Sequence, residues 1–306
     1  MTVVAAVDCG TNTIKLMVAD LDPETGRADV RVRESRMVRL GQGIDRTGEL
    51  APEALERTFA AIDDYAALVA QHPVERVRFC ATSAARDARN GEVFADGVEA
   101  RLGVRPDVVT GSEEARLSFD GAVRNLRTTH PGPLLVVDIG GGSTELILGD
   151  VTGGAQQAHS MDIGSVRLHE RHLAGDPPTR EQVEAAVADI DAALDVCPVE
   201  PAEAGTVVGV AGTILTVAAG VLGLDRYDRD RIDQSVLART HVHDQTEALL
   251  TMTVAQRLAL PYMHAGRADV IGAGALVLDR VLRRTRVDTM VASEADILDG
   301  IAWSLV

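Results

Sequence analysis

Long apolar runs are missing from this 306-residue chain, and none approaches the roughly 20 residues that span a bilayer. A transmembrane helix is not expected. The N-terminus MTVVAAVDCG shows no basic leader followed by a cleavable apolar stretch, so the expected setting is the cytoplasm. Cysteine is scarce: Cys9, Cys80 and Cys197 are odd in number, far apart and not in C-x-x-C form, which argues against a disulfide or zinc framework. Lysine is scarcer still, with Lys15 alone among 30 basic residues. The arginine excess beside so much Ala, Gly and Val reads as coding bias and carries no functional weight. Net positive charge is absent as well. The formal balance is −16, and sequence-independent nucleic-acid binding needs a basic face to displace counterions. An anionic substrate must therefore be met by local groups.

What is present suits a folded globular chain, with 46% hydrophobic and 25% charged residues. The length exceeds that of a usual single domain, so two domains with their own cores are expected. A repeat gives that expectation a form. The segment VVAAVDCGTNTIKLMVAD (3 to 20) lies on PLLVVDIGGGSTELILGD (133 to 150) without a gap, at a constant offset of 130 residues. Asp8 falls on Asp138, Gly10 on Gly140, Leu16 on Leu146 and Asp20 on Asp150. Each copy reads as an apolar strand, a D-x-G turn whose residues tolerate positive φ, and a second strand.

The segments after the two copies match as well. The first copy leads into a strand in DVRVRESRMVRL, a helix in PEALERTFAAIDDYAALVAQ, the strand VRFCATS, the helix GEVFADGVEARLG, the strand DVVT and a helix from SEEARLSF that Ser112 is placed to cap. The second leads into a strand in GAQQAHSMDI, the helix TREQVEAAVADIDAALDV, the strand TVVGVAG, the helix ILTVAAGVLG, further helices over 230 to 285, the strand DTMVAS and a closing helix. The expectation is an α/β protein of two RNase H-like domains of the actin-like ATPase superfamily, each βββαβαβα and facing an interdomain cleft. The boundary is placed in RNLRTTHPGP, giving domains 1–128 and 129–306, with the last helix a candidate to pack back on the first domain.

The glycines are where chemistry enters. Gly140, Gly141, Gly142 and Ser143 let backbone N–H groups approach an anion closely, and Gly10, Thr11, Asn12 and Thr13 do the same in the first copy. Asp138 and Glu145 flank the second loop, and carboxylates beside a phosphate cradle make sense when Mg²⁺, with Mn²⁺ as the alternative, bridges them to the phosphate. A tight glycine hairpin with a capping aspartate is the bland alternative for one copy alone. A third loop, GVAGT, runs a strand into Gly212 and Thr213 at a helix start, another anion-binding geometry, or simply a Thr cap with Gly for packing. Arg86 and Arg89 leave a strand end with donors suited to phosphate, and Glu113 and Glu114 stand in the first turn of a helix, patterns that solvated arginines and helix-start acids also produce.

With these residues assembled, the sequence resembles the exopolyphosphatase and guanosine pentaphosphate phosphohydrolase (Ppx/GppA) phosphatases. The resemblance is carried in order by DCGTNTIKLMVAD, VRLGQGID, ATSAARDARNGEVF, GSEEARLSFDGA, LLVVDIGGGSTELILGD, MDIGSVRLHE, GVAGT and GRADVIGAGALVL. It implies removal of a terminal phosphoryl group from inorganic polyphosphate or guanosine pentaphosphate, with Glu114 as the catalytic base, Arg86 beside it, and Asp138, Gly140, Gly141, Gly142 and Glu145 serving metal and phosphate. It also implies a homodimer. Two departures stand out. Many members carry arginine in a G-L-R-E-G segment where this chain reads ADILDG, and larger members continue into a helical region, so shorter polyphosphates are the expected preference. The rival readings are a sugar or acetate kinase or chaperone-type ATPase on the same fold, and a non-catalytic sensor of polyphosphate or an alarmone. The histidine pairs His169 with His172 and His241 with His243 lack companion ligands at zinc-site spacing.

Overall fold

The computed structural model describes residues 1–306, and its packing divides them into two units, Met1–Gly121 with Ile297–Val306, and Ala122–Asp296. The first unit runs β1 (Thr2–Cys9), β2 (Thr13–Asp22), β3 (Arg27–Met37), α1 (Ile44–Thr47), α2 (Pro52–Val69), β4 (Arg76–Ala81), α3 (Ser83–Asp87), α4 (Gly91–Leu102), β5 (Asp107–Val108) and α5 (Gly111–Arg124), whose last residues cross into the second unit. Its sheet has the order β3-β2-β1-β4-β5. β1 is apolar almost throughout because it lies inside the sheet, antiparallel to β2 and parallel to β4, with both faces covered. One face carries α2, which begins with Pro52 in the first turn and buries Leu55, Thr58, Ile62 and Tyr65 at helical spacing.

The second unit runs β6 (Leu134–Ile139), β7 (Thr144–Asp150), β8 (Gly154–Met161), α6 (Ser165–His172), α7 (Arg180–Asp195), β9 (Thr206–Val210), α8 (Ala211–Val221), α9 (Arg229–Ile232), β10 (Val236–Ala238), α10 (Arg239–Thr251), α11 (Val254–Leu258), α12 (Ile271–Arg283) and β11 (Thr289–Ala292). The strand order is β10-β11-β9-β6-β7-β8. α7 starts at a reciprocal cap in which Thr179 and Gln182 satisfy each other's backbone N–H groups. α8, from the run ILTVAA, is buried on nearly every side, as a helix without a polar face must be.

Both sheets place three antiparallel strands first and then parallel ones, the RNase H-like arrangement of actin-like proteins. Two details differ from the sequence reading. Thr110, not Ser112, caps α5: its Oγ1 accepts from the Glu113 N–H at 3.2 Å, because the helix opens one residue before Ser112. β10 is an added edge strand within the stretch read as helical, three residues too short to show an alternating pattern. The closing helix, α13 (Ile297–Trp303), packs with the first unit: Ile297, Leu298, Ile301 and Ala302 join Val4, Ala6 and Met17 in one core. Arg33 grips Asp299 with two hydrogen bonds of 2.9 and 2.7 Å, and Gly300 sits so close to the Leu117 carbonyl that no side chain fits. No helix is long and apolar enough to cross a membrane.

Candidate active site

The two repeated hairpins are built alike down to single hydrogen bonds. Gly10 N–H donates to Thr13 O at 3.0 Å, and Gly140 N–H donates to Ser143 O at 3.0 Å. Neither turn uses positive φ at these glycines, contrary to the sequence expectation. What they provide instead is closeness, because the carbonyl side of each loop is pinned by another segment. In the second unit, Ser165 N–H donates to Gly140 O, Val166 N–H and Arg167 N–H to Gly141 O, and Arg167 Nε to Gly142 O, all within 3.2 Å. Gly164 permits this stacking, since a Cβ there would lie 2.3 Å from the Gly141 carbonyl. A trans peptide points its C=O and N–H in opposite directions. With the carbonyls of 140, 141 and 142 turned toward the start of α6, the N–H groups of Gly141, Gly142 and Ser143 are turned away from it, as a phosphate cradle requires.

The first unit repeats the device with a different clamp. Val38 and Arg39 N–H both donate to Asn12 O, and Gly41 N–H to Thr11 O, at 2.9–3.0 Å. The N–H groups of Asn12 and Thr13 therefore face away from the VRLGQG segment. Arg39 takes φ 50°, a left-handed conformation uncommon for a non-glycine residue, to make this contact. The Asn12 Oδ1 is buried with no hydrogen-bond partner.

Where the copies diverge is charge. Asp8 and Lys15 are opposed residues on β1 and β2, and Lys15 Nζ lies 3.1 Å from Asp8 Oδ2. At the equivalent register in the second copy, Asp138 opposes Glu145. Opposed side chains share a face with Cβ atoms about 5 Å apart, so two buried carboxylates meet where the first copy holds an ion pair. Glu145 accepts a 2.6 Å hydrogen bond from Ser160 Oγ. Two hard oxygen donors suit Mg²⁺, which keeps waters and takes phosphate oxygens as its other ligands. No third His, Cys, Asp or Glu gathers here into a cage of protein ligands.

The base candidate lies in the first unit. Glu114 stands in the first turn of α5, 7% exposed, and accepts from Arg86 Nη1 at 3.1 Å, while the same nitrogen donates to Val109 O at 3.0 Å. Ser83, three residues before Arg86, hydrogen-bonds Thr11 Oγ1 at 2.9 Å. A continuous chain of contacts thus ties the first hairpin, the ATSAAR segment and Glu114 together. Arg89 lies outside it, bound to Thr47 O and Glu49. A thiol nucleophile is not to be had: burial and the adjacent Asp8 carboxylate push the Cys9 thiol well up, and burial pushes Cys80 up to about 12.

The third loop is completed by residues to which the sequence reading gave no role. α8 starts without a side-chain cap, and Ala211 takes φ 67°, which turns the chain sharply into the helix. The Arg267 guanidinium lies on Gly212, so close that a Cβ there would be 2.2 Å from Nη2. Burial lowers the pKa of Arg267, against the opposing pull of Tyr227 and Glu294, as expected of a cation withdrawn from water. Gly274 of α12 admits Thr213 and Ser165 side by side, which holds the third loop against the clamp of the second. Of the histidines, His172 pairs with Asp189 and His243 with Asp279.

A family profile of the Ppx/GppA phosphatases matches residues 21–306. The chain belongs to that family. It is 47% identical to exopolyphosphatase 2 of Mycobacterium tuberculosis, over 100% of this chain and 99% of that one. A solved exopolyphosphatase-like protein superposes with a TM-score of 0.95 at 44% identity, covering 99% of this chain and 98% of the other. The Ppx/GppA family member of Aquifex aeolicus superposes at 0.83 with 28% identity, covering 99% and 97%. Against this Ppx/GppA background the ADILDG departure has a structural meaning. Leu298, standing where many members carry the arginine of G-L-R-E-G, is 1% exposed in the core of the first unit and offers no donor to a substrate.

Proposed function

We propose that this protein is an exopolyphosphatase, a phosphoanhydride hydrolase that releases orthophosphate from the end of inorganic polyphosphate. The observation that carries the reading is the clamp on residues 140–142: a helix start that holds the loop carbonyls and leaves three successive N–H groups for phosphate oxygens. The resemblance to exopolyphosphatase 2 over the full chain supports the substrate class.

In the second unit, phosphate oxygens would rest on the N–H groups of residues 141–143 and on the start of α8, with Arg267 adding charge at Gly212, and the N–H groups of the first hairpin offer a like cradle in the first unit. Asp138 and Glu145 would hold Mg²⁺. Bound there, the ion would neutralise phosphate charge and that of the carboxylate pair. Glu114 orients a water and takes its proton as the oxygen bonds to the terminal phosphorus. The P–O bond to the bridging oxygen breaks, and the shortened chain leaves with the electron pair. Such a transition state is loose, so positioning and charge neutralisation do most of the work and a weak carboxylate base suffices. Arg86 aims Glu114 through their 3.1 Å ion pair. The reading includes a homodimer in the cytoplasm, and light scattering in solution tests the assembly.

The test compares wild type with Glu114→Gln on tripolyphosphate, long polyphosphate and guanosine pentaphosphate, with Mg²⁺ and after chelation. Wild type is expected to release phosphate from short polyphosphate in Mg²⁺ only, and Glu114→Gln to lose a factor of about 10² to 10⁴ in kcat with KM nearly unchanged. Binding without turnover by wild type would move the assignment to a sensor. Faster turnover of guanosine pentaphosphate than of any polyphosphate would move it to an alarmone phosphatase.

A further inference from the structure

We propose that Arg257 is a positioning residue that sets polyphosphate affinity by holding Arg267 on the third phosphate loop, without touching the substrate itself. The inference rests on the reading of Arg267 as a phosphate contact. Arg257 belongs to the short helix α11 and is 3% exposed, an unusual place for a guanidinium. Its hydrogen bonds go to backbone carbonyls, while the Asp176 and Asp269 carboxylates favour its charge. Nε donates to Leu249 O at 2.8 Å, and Nη1 donates to Ala268 O at 3.1 Å and Asp269 O at 3.3 Å.

These acceptors belong to two different segments. Leu249 lies in the last turn of α10, where outward-facing carbonyls carry the negative end of the helix dipole and favour a cation. Ala268 and Asp269 follow Arg267 directly. On its other side the Arg267 backbone is tied to His264, whose O accepts from Arg267 N at 2.9 Å and whose Nδ1 accepts from Gly266 N at 3.1 Å. Between α11 and α12 the chain makes only one short 3-10 turn, Ala265–Arg267. Arg257 is therefore the buried group that fixes where this segment meets Gly212. A buried cation that served packing alone would be replaceable by an apolar side chain. This one spans two segments with a planar fork, a geometry that lysine cannot reproduce.

The experiment is a double-mutant cycle of Arg257→Lys and Arg267→Ala, read as the dissociation constant for inorganic tripolyphosphate by calorimetry in Mg²⁺. All proteins carry Glu114→Gln so that the probe survives, with turnover of the Glu114 forms measured in parallel. Arg267→Ala is expected to weaken binding about tenfold, as loss of a charge-assisted contact does, and Arg257→Lys about threefold. The double variant should bind within about twofold of Arg267→Ala alone, because Arg257 acts through Arg267. Arg257→Gln, neutral but still able to donate to a carbonyl, replaces Arg257→Lys if that variant does not fold. Unchanged affinity in the Arg257 variant, or factors that multiply in the double variant, would overturn the proposal. Tripolyphosphate bound but not hydrolysed by wild type would remove the exopolyphosphatase reading and leave the Arg257 cycle decisive on its own terms. No binding by the parent protein would remove both.

Discussion

Substituting Gly164 by alanine adds one methyl group at the point where α6 meets the second phosphate loop. The new Cβ would lie 2.3 Å from the Gly141 carbonyl carbon and oxygen and 2.5 Å from the Gly142 carbonyl carbon. Carbon atoms rest about 3.5–4.0 Å apart, so loop and helix must separate by about 1 Å or more. Every atom met is backbone, and no side chain can swing aside. The separation lengthens the hydrogen bonds from Ser165, Val166 and Arg167 that orient the loop, so the N–H groups of Gly141, Gly142 and Ser143 move with it. A misplacement of about 1 Å at a reacting group costs roughly 10² in rate, or about 2.7 kcal/mol of barrier. Overpacking of this kind costs about 1–3 kcal/mol of stability. The assays are kcat and KM for phosphate release from tripolyphosphate and a urea unfolding curve. A Gly164→Ala protein that hydrolyses tripolyphosphate within about twofold of wild type would refute the argument that the clamp orients the cradle, whatever its stability.

Lys15→Met removes an ion-pair partner of a carboxylate that is only 7% exposed, and is expected to cost about 2–3 kcal/mol in urea unfolding, with an unchanged midpoint speaking against the pair. His264 supplies a pH prediction. Burial and the Arg267 cation hold its pKa below the ordinary 6.5, so as pH falls the unfolded chain takes up a proton before the folded one does. Its contribution to stability is complete above about pH 6.5 and declines as pH drops toward the folded value. Protonation also removes the Nδ1 acceptor used by Gly266, so KM for tripolyphosphate should rise in that range. His264→Asn, which keeps an acceptor but does not titrate, should flatten the rise, and an unaltered acid limb would dismiss His264 as its source. Arg180→Ala breaks an exposed pair with Glu184 and should leave the midpoint of the same unfolding assay unchanged, a clear shift speaking against this reading of the pair.

The hairpins were legible in the sequence because their message lies in side-chain absence and period. Glycines follow a buried apolar strand, and the pattern returns after 130 residues. Their clamps were not legible, because Ser165, Val166, Val38 and Arg39 act through backbone N–H groups that any residue but proline supplies. Gly164 was the one visible sign, and its meaning depends on which backbone it touches. Arg267 and Arg257 were hidden for a related reason. Each is one of many arginines, and only folding brings the first to Gly212 and the second to three carbonyls. Thr110 and Ser112 are both acceptable caps, and the choice fell to where the helix begins.

The most informative difference was in plain view and needed the register to interpret. In a gapless alignment of the two copies, Lys15 falls on Glu145, and while the residues opposite are unknown the lysine reads equally as charge lent to the phosphate loop or as a side chain pointing to solvent. Once Asp8 and Asp138 are seen to face them across the ladder, the substitution becomes a difference in how the same charge is balanced. The first hairpin carries its own fixed cation, a short distance from the loop it serves. The second places two carboxylates opposite each other, an arrangement that a bound cation favours. Duplicated phosphate loops with two external cations would have to assemble two ions for each turnover. On the proposed reading, a lysine built into one copy would reduce that requirement to one and would direct the ion to the copy where Asp138 and Glu145 face each other.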